Sequence, residues 1–165
     1  MIRQILLAAL LALIVSPASA TNLVSATITS AGTVTSTPIQ TKDWAPESVS
    51  IQCSFTYGSG GTSVDAYIQT SLDGGTTWID VAECNLLLAS ARKGYNVSGL
   101  TGGTSPLAFT DGALTANTAL AQGIMGNKWR TKIISVGTYA GGTTLNVDVQ
   151  FGRARSQAAP GLGVF

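Results

Sequence analysis

The sequence predicts an all-β fold: an antiparallel β-sandwich of jelly-roll type, preceded by an N-terminal hydrophobic helix. Three observations predict it. Apolar and polar residues alternate with period two through 49–57, 66–72, 129–136 and 144–151. Successive side chains leave a strand on opposite faces, so each run reads as a half-buried strand. Gly-rich breaks separate the runs, as tight turns require. The remaining composition is rich in Thr, Ser, Ala and Val and poor in charge, which suits short strands with many turns.

Taken in order, residues 1–20 read MIRQILLAALLALIVSPASA. Arg3 gives a positive start, residues 5–15 are an unbroken apolar run, Ser16-Pro17 breaks it, and Ala18-Ser19-Ala20 is an A-x-A cleavage site. This is the secretory signal pattern, and the run is short for a membrane span. Cleavage after Ala20 is expected. The competing reading is an uncleaved anchor, or a hydrophobic helix buried in an assembly. Residues 21–155 are then one sandwich domain and 156–165 a loose tail broken by Pro160.

Residues 21–42 are Thr/Ser-rich with weak alternation at Val24, Ala26 and Ile28. Pro38 confines this stretch to an edge strand or arm. Trp44, in the loop 43–46, is expected to cover one end of the core. Residues 47–81 are the strongest unit. Val49, Ile51, Cys53, Phe55 and Tyr57 form one apolar face. Gly58-Ser59-Gly60-Gly61 turns the chain, and Ala66, Ile68, Thr70 and Leu72 form the next face. Asp73-Gly74-Gly75 turns it again, and 77–81 returns. The expectation is a three-stranded meander. Residues 98–126 form a long Gly/Thr/Ser/Ala excursion anchored by Leu100, Leu107, Phe109 and Leu114, with one or two short strands and a helical turn over 117–122. Long connections of this kind usually carry function or contacts. Residues 128–153 predict a hairpin around 137–142 with one wet face.

The two strong units echo each other. Tyr57 is followed by Gly-Gly-Thr at 60–62, and Tyr139 by Gly-Gly-Thr at 141–143. Two facing hairpins, one in each layer, would bury their apolar faces against each other.

Little in the chain suggests catalysis. It has no histidine, which removes the commonest general base and metal ligand. Nine basic and eight acidic residues give no electrostatic footprint for nucleic acid. A weakly charged surface also favours association. No carboxylate pair has the spacing of an acid/base site. Asp80 and Glu83 could offer oxygens to calcium, although solvent-facing charges are the plainer reading. Arg92-Lys93 reads as a solvated loop, and Asn96-Val97-Ser98 as a chance sequon. No cofactor and no metal are expected. Cys53 and Cys84 are either two buried small apolar side chains or a disulfide closing a loop of about thirty residues, worth a few kcal/mol. An export signal favours the second.

Ser71, Asp73, Gly75, Thr77 and Trp78 fill the fixed positions of the Asp-box pattern S-x-D-x-G-x-T-W. An Asp carboxylate binds turn amides, glycines accept positive φ, and the Trp packs beneath. Asp-boxes recur on the blades of sialidases and related propellers, away from the catalytic centre. One copy in a chain this short argues for the hairpin and not for glycan chemistry. Trp44 and Trp78 are the candidate aromatic platforms should a ligand be bound.

An alternating strand, then SLDGGTTWIDV, a Gly/Thr/Ala-rich excursion, and KWRTKIISVGTYAGGTTLNVDVQFGR together resemble small β-sandwich virion proteins of tailed bacteriophages, over about residues 47–153. The resemblance implies a head-decoration, neck or tail accessory protein. It implies a non-enzymatic, oligomeric protein located in the virion and bound to other virion proteins. The secretory-type start departs from that pattern. The alternative is an exported bacterial sandwich, periplasmic or secreted, binding carbohydrate or a surface. Membrane contact is expected only through residues 1–20, during export or if they are retained.

Overall fold

The computed structural model describes residues 19–41 and 44–153. The segment 1–18, expected to be the hydrophobic helix, and the tail 156–165 lie outside the described residues. The described residues are all strand and loop, in antiparallel sheets.

Eleven strands are present among the described residues. They are β1 (Thr21–Thr27), β2 (Gly32–Thr35), β3 (Ile39–Gln40), β4 (Ser48–Thr56), β5 (Ser59–Gly60), β6 (Ser63–Ser71), β7 (Ile79–Leu86), β8 (Ala91–Ser98), β9 (Lys128–Val136), β10 (Tyr139–Ala140) and β11 (Thr144–Gly152). The first sheet has the order β1-β11-β4-β8. The second has the order β2-β9-β6-β7, with β3 also on β9. Antiparallel pairing is nested: β6 with β7, β4 with β8, β2 with β9, and β1 with β11. The tip of the nest is the Asp-box turn.

The alternating faces meet in one core. Val49, Ile51, Cys53 and Phe55 of β4 lie beside Phe151, Val149, Val147 and Leu145 of β11. Opposite them stand Val64, Ala66 and Ile68 of β6 with Trp129 and Ile133 of β9. Each fully buried aliphatic or aromatic side chain here contributes about 1.5–3 kcal/mol of burial. The Cys53–Cys84 disulfide crosses the core and joins β4 of the first sheet to β7 of the second.

The structure corrects the local topology read from the sequence. Residues 47–81 are not a meander, because β4 and β6 lie in different sheets. Residues 128–153 are not a hairpin, because β9 and β11 also lie in different sheets. Both Tyr-Gly-Gly-Thr stretches are corners where the chain crosses between layers. The corners pair with each other: Tyr139 faces Gly60 and Ala140 faces Ser59. A Cβ on Gly58 would lie 2.2 Å from the Ala140 carbonyl oxygen, so the backbones touch where side chains would otherwise be. Turn chemistry is the same for a hairpin and a corner; which strand pairs with which is a non-local choice.

Smaller corrections follow from burial. Leu72 lies beyond β6 and is 58% exposed. Leu100 and Phe109 are exposed and anchor nothing. The excursion holds no strand and no helical turn at 117–122, only an isolated bridge from Ala119 to Ala82. Its backbone runs along the free edge of β7, which extended residues can satisfy and a helix cannot.

Candidate functional site

The Asp-box residues sit together at the tip between β6 and β7. Asp73 Oδ1 accepts the Thr76 and Thr77 amides at 3.0 and 2.8 Å, and the Ser71 hydroxyl at 2.8 Å. Ser71 Oγ in turn accepts the Gly75 amide at 2.8 Å. Led by the Thr77 amide, these donors pull the Asp73 carboxyl down to about 2. Gly74 and Gly75 have φ of 76° and 100°, as the turn demands. The Trp78 indole donates to the Gly75 carbonyl at 3.0 Å, and Arg130 lies 4.1 Å from its ring centroid. Lys128 Nζ caps the Gly74 carbonyl at 2.6 Å. Every fixed residue of the pattern is thus engaged within the hairpin. Trp78 is buried beneath it and offers no open ring for a ligand, which corrects its candidacy as a platform.

The richest polar cluster lies on the outer face of the second sheet, under the connection 99–127. That connection bonds the free edge of β7: Asp80 N–H to the Thr110 carbonyl, Glu83 N–H to Thr118, and Leu120 N–H to Val81. Asp80 is fully buried, and its carboxylate accepts the amides of Gly112, Ala113 and Leu114 together with Gln69 Nε2. Successive amides converging on one carboxylate form an anion nest. Asp111 stands beside it, 2.9 Å from Lys132 Nζ, 3.4 Å from Arg130, and 2.8 Å from Gln69 Nε2. Burial raises the Asp111 carboxyl, but the Gln69 hydrogen bond and the Lys132 and Arg130 charges outweigh it and leave it lowered.

Glu83 is 1% exposed. Its Oε2 accepts the Asn117 amide, while Oε1 has no donor. Burial, with Asp65 beside it, pushes this carboxyl up to about 7 against the opposing pull of the Asn117 amide. Asp80 and Glu83 are therefore neither solvent-facing charges nor a calcium pair: Asp80 is saturated by donors. Among the described residues no group of three or more acidic or cysteine side chains could hold a metal. Arg92 and Lys93 belong to β8 and not to a loop. Arg92 is exposed, while Lys93 Nζ reaches the Asn85 carbonyl and Asn117 Oδ1. Asn96 is exposed on the same strand.

Chemically, this cluster binds a loop to a sheet. The tyrosines nearest it, Tyr67 and Tyr95, are raised by burial and by neighbouring carboxylates, the opposite of an activated nucleophile. Glu83 is poised near neutrality but buried where no substrate reaches. An open groove of about 440 Å³ lies at one end of the sandwich, lined by Thr21, Ile39, Thr41, Trp44, Phe151 and Arg153 among others. Trp44 is half-buried there but is not among the side chains packed on the core, which corrects its expected role as a cover. Arg153 lies 3.9 Å over its ring. The groove gathers one guanidinium and no base.

Compared with known families and curated proteins, the chain matches no family model and no curated sequence.

Most of the exposed large apolar side chains lie in loops, with Val34 in β2 and Val136 at the end of β9 the exceptions. Leu72 and Leu100 follow the ends of β6 and β8, and Phe109 lies beside the start of β7. All three are more than half exposed. They share one end of the sandwich with Trp44, Thr21 and Arg153, where both termini of the described domain emerge. Leu87, Leu88 and Val136 are exposed at the opposite end. The outer face of the first sheet carries Ser50, Gln52, Ser54, Asn146 and Asp148. The sequence identified the Asp-box and the excursion. It missed Asp65 and Asn117 as neighbours of Glu83, and Asn85 as the donor to Asp65, for which no local spacing gives a signal.

Proposed function

We propose that this chain is a non-enzymatic structural protein of a tailed-phage virion, a head-decoration, neck or tail accessory component that binds other virion proteins and copies of itself. The nested strand order is that of one long hairpin rolled into two layers, and the fold is read as a jelly roll, an architecture used by capsid and lectin domains. A fold does not assign a function. The observation that carries the reading is the placement of Leu72, Leu100 and Phe109, exposed at the end where both termini leave the domain. A monomer gains nothing from three such side chains on loop tips, whereas a neighbour packed end-on buries them. Of the four strands at the edges of the two main sheets, β7 is covered by the long connection, while β1, β2 and β8 have a strand on one side only among the described residues and offer edges for pairing.

The alternative, an exported module binding carbohydrate, needs an open aromatic face. Trp78 is buried and Arg153 stacks on Trp44, so neither ring favours it.

The test is mass spectrometry of purified particles of the phage encoding the chain, with a Leu72→Ser, Leu100→Ser, Phe109→Ser variant beside the native protein. The expected result is native protein in the particles with Met1 retained, and at least a tenfold loss of occupancy in the variant at unchanged unfolding temperature. A protein absent from particles and found outside the cell starting at Thr21 overturns the reading.

A further inference from the structure

Glu83 and Asp65 lie on the same outer face of the second sheet. Glu83 of β7 pairs with Tyr67 of β6, and Asp65 is two residues along β6, so their carboxyls are diagonal neighbours within reach of each other. The Asp65 charge opposes ionisation of Glu83. Asp65 is otherwise supplied with donors: Asn85 Nδ2 on Oδ1 and Ser63 Oγ on Oδ2. Glu83 has one oxygen on the Asn117 amide and one, Oε1, that no donor reaches. A buried carboxyl with one oxygen unpartnered and a second carboxylate nearby cannot stay charged at low cost.

We propose that the proton on the buried Glu83 carboxyl latches the 115–120 segment of the long connection onto β7, and that loss of this proton releases the segment. Glu83 supplies two of the segment's bonds to β7, beside those from Val81 and Asn85. The segment's amides at Asn117 and Leu120, and its carbonyl at Thr118, bond Glu83 Oε2, the Val81 carbonyl and the Glu83 amide. Its sequence, Thr-Ala-Asn-Thr-Ala-Leu, holds no ionisable side chain to absorb a new charge. The groups facing Glu83 are Asp65 and Tyr67 from β6, Asp80 on its own strand, and Lys93 and Tyr95 from β8. Lys93 is the single cation among them, and its ammonium is held by Asn85 and Asn117. When the Glu83 proton leaves, a buried charge is left on an oxygen without a donor, Asp65 repels it across the sheet, and the Lys93 charge offsets this only in part. The raised Glu83 carboxyl, at about 7, puts the transition in a range that a particle meets on leaving one compartment for another. If the proposed virion role holds, this latch controls when the connection is free to meet a neighbour. The latch itself does not depend on that role.

The experiment uses the full chain, with carbon-13 NMR of the glutamate side-chain carboxyls and hydrogen exchange of the Asn117 and Leu120 amides from pH 5 to 9. The exchange is corrected for its intrinsic pH dependence. The expected result is a Glu83 midpoint near neutrality and at least a tenfold loss of protection across it. Glu83→Gln keeps an acceptor for Asn117 and cannot ionise, so its protection stays flat with pH. Asp65→Asn moves the Glu83 midpoint down towards an ordinary glutamate, which tests the pair in a second variant should the first fold poorly. A native Glu83 that titrates below pH 5 overturns the proposal, as does protection equally pH-dependent in Glu83→Gln. So does a millimolar calcium addition that shifts the same signals, since a metal would then occupy the proton's place. Particle assembly is not read in this experiment, so its failure is distinguishable from failure of the virion reading.

Discussion

The Tyr139 ring occupies the space that a side chain on Gly61 would need: a Cβ there would lie 2.0 Å from Cζ. The ring is fixed from both sides. Its hydroxyl donates to the Ser63 carbonyl at 2.7 Å and accepts the Thr62 amide at 3.3 Å. Gly61 also has φ of 66°, which other residues rarely adopt. This contact locks the two interlayer corners together.

Gly61→Ala is therefore expected to cost about 3 kcal/mol or more, from the left-handed backbone and the displaced ring together. Gly74→Ala is the control. Its φ is 76° but nothing lies within 4 Å of a Cβ, so the cost should be about 1 kcal/mol. Urea unfolding of both variants measures the difference. Equal losses would mean that the corner contact contributes nothing beyond backbone conformation.

The Cys53–Cys84 disulfide joins the two sheets across a separation of 31 residues. A loop of that length should contribute about 3–4 kcal/mol, mainly by restricting the unfolded chain. A Cys53→Ala, Cys84→Ala variant is expected to lower the urea midpoint accordingly, and reductant should destabilise the native protein but not the variant. Two thiols titrating in the unreduced, denatured protein would refute the bond.

The two ends of the β6–β7 hairpin respond to pH with opposite signs. Asp73 is pulled from 3.8 to about 2 by the Thr77 and Thr76 amides and the Ser71 hydroxyl. Its contribution is present above pH 3.8 and is lost as the pH falls towards 2. Glu83 is raised from 4.5 to about 7. Its folded form keeps a proton that the unfolded chain gives up, so its contribution is full below pH 4.5 and is lost as the pH rises through about 7. Unfolding temperature against pH should therefore decline on both sides of a mildly acidic maximum. Asp73→Asn should flatten the acid limb and leave the neutral limb in place; an unchanged acid limb would remove Asp73 from the account.

By itself the sequence determined the layers and the local devices. The alternation from Val49 to Phe55 and from Leu145 to Phe151 placed those side chains in a core, because period two is a property of the strand alone. The Asp-box turn was equally legible, since Asp73, Gly74, Gly75 and Trp78 satisfy one another within eight residues. Tertiary structure alone decided which strands pair, and so made corners of the expected turns at Gly58–Gly61 and Gly137–Gly142. It also decided that Asp80 and Glu83 face a loop and not solvent. Asp65, Lys93 and Asn117 reach Glu83 from three separate parts of the chain, and contacts between distant residues leave no trace in local spacing. The physical reason is common to all of these: side-chain periodicity and turn conformation are set by neighbouring residues, while pairing and carboxylate environment are set by whatever the rest of the chain packs against them.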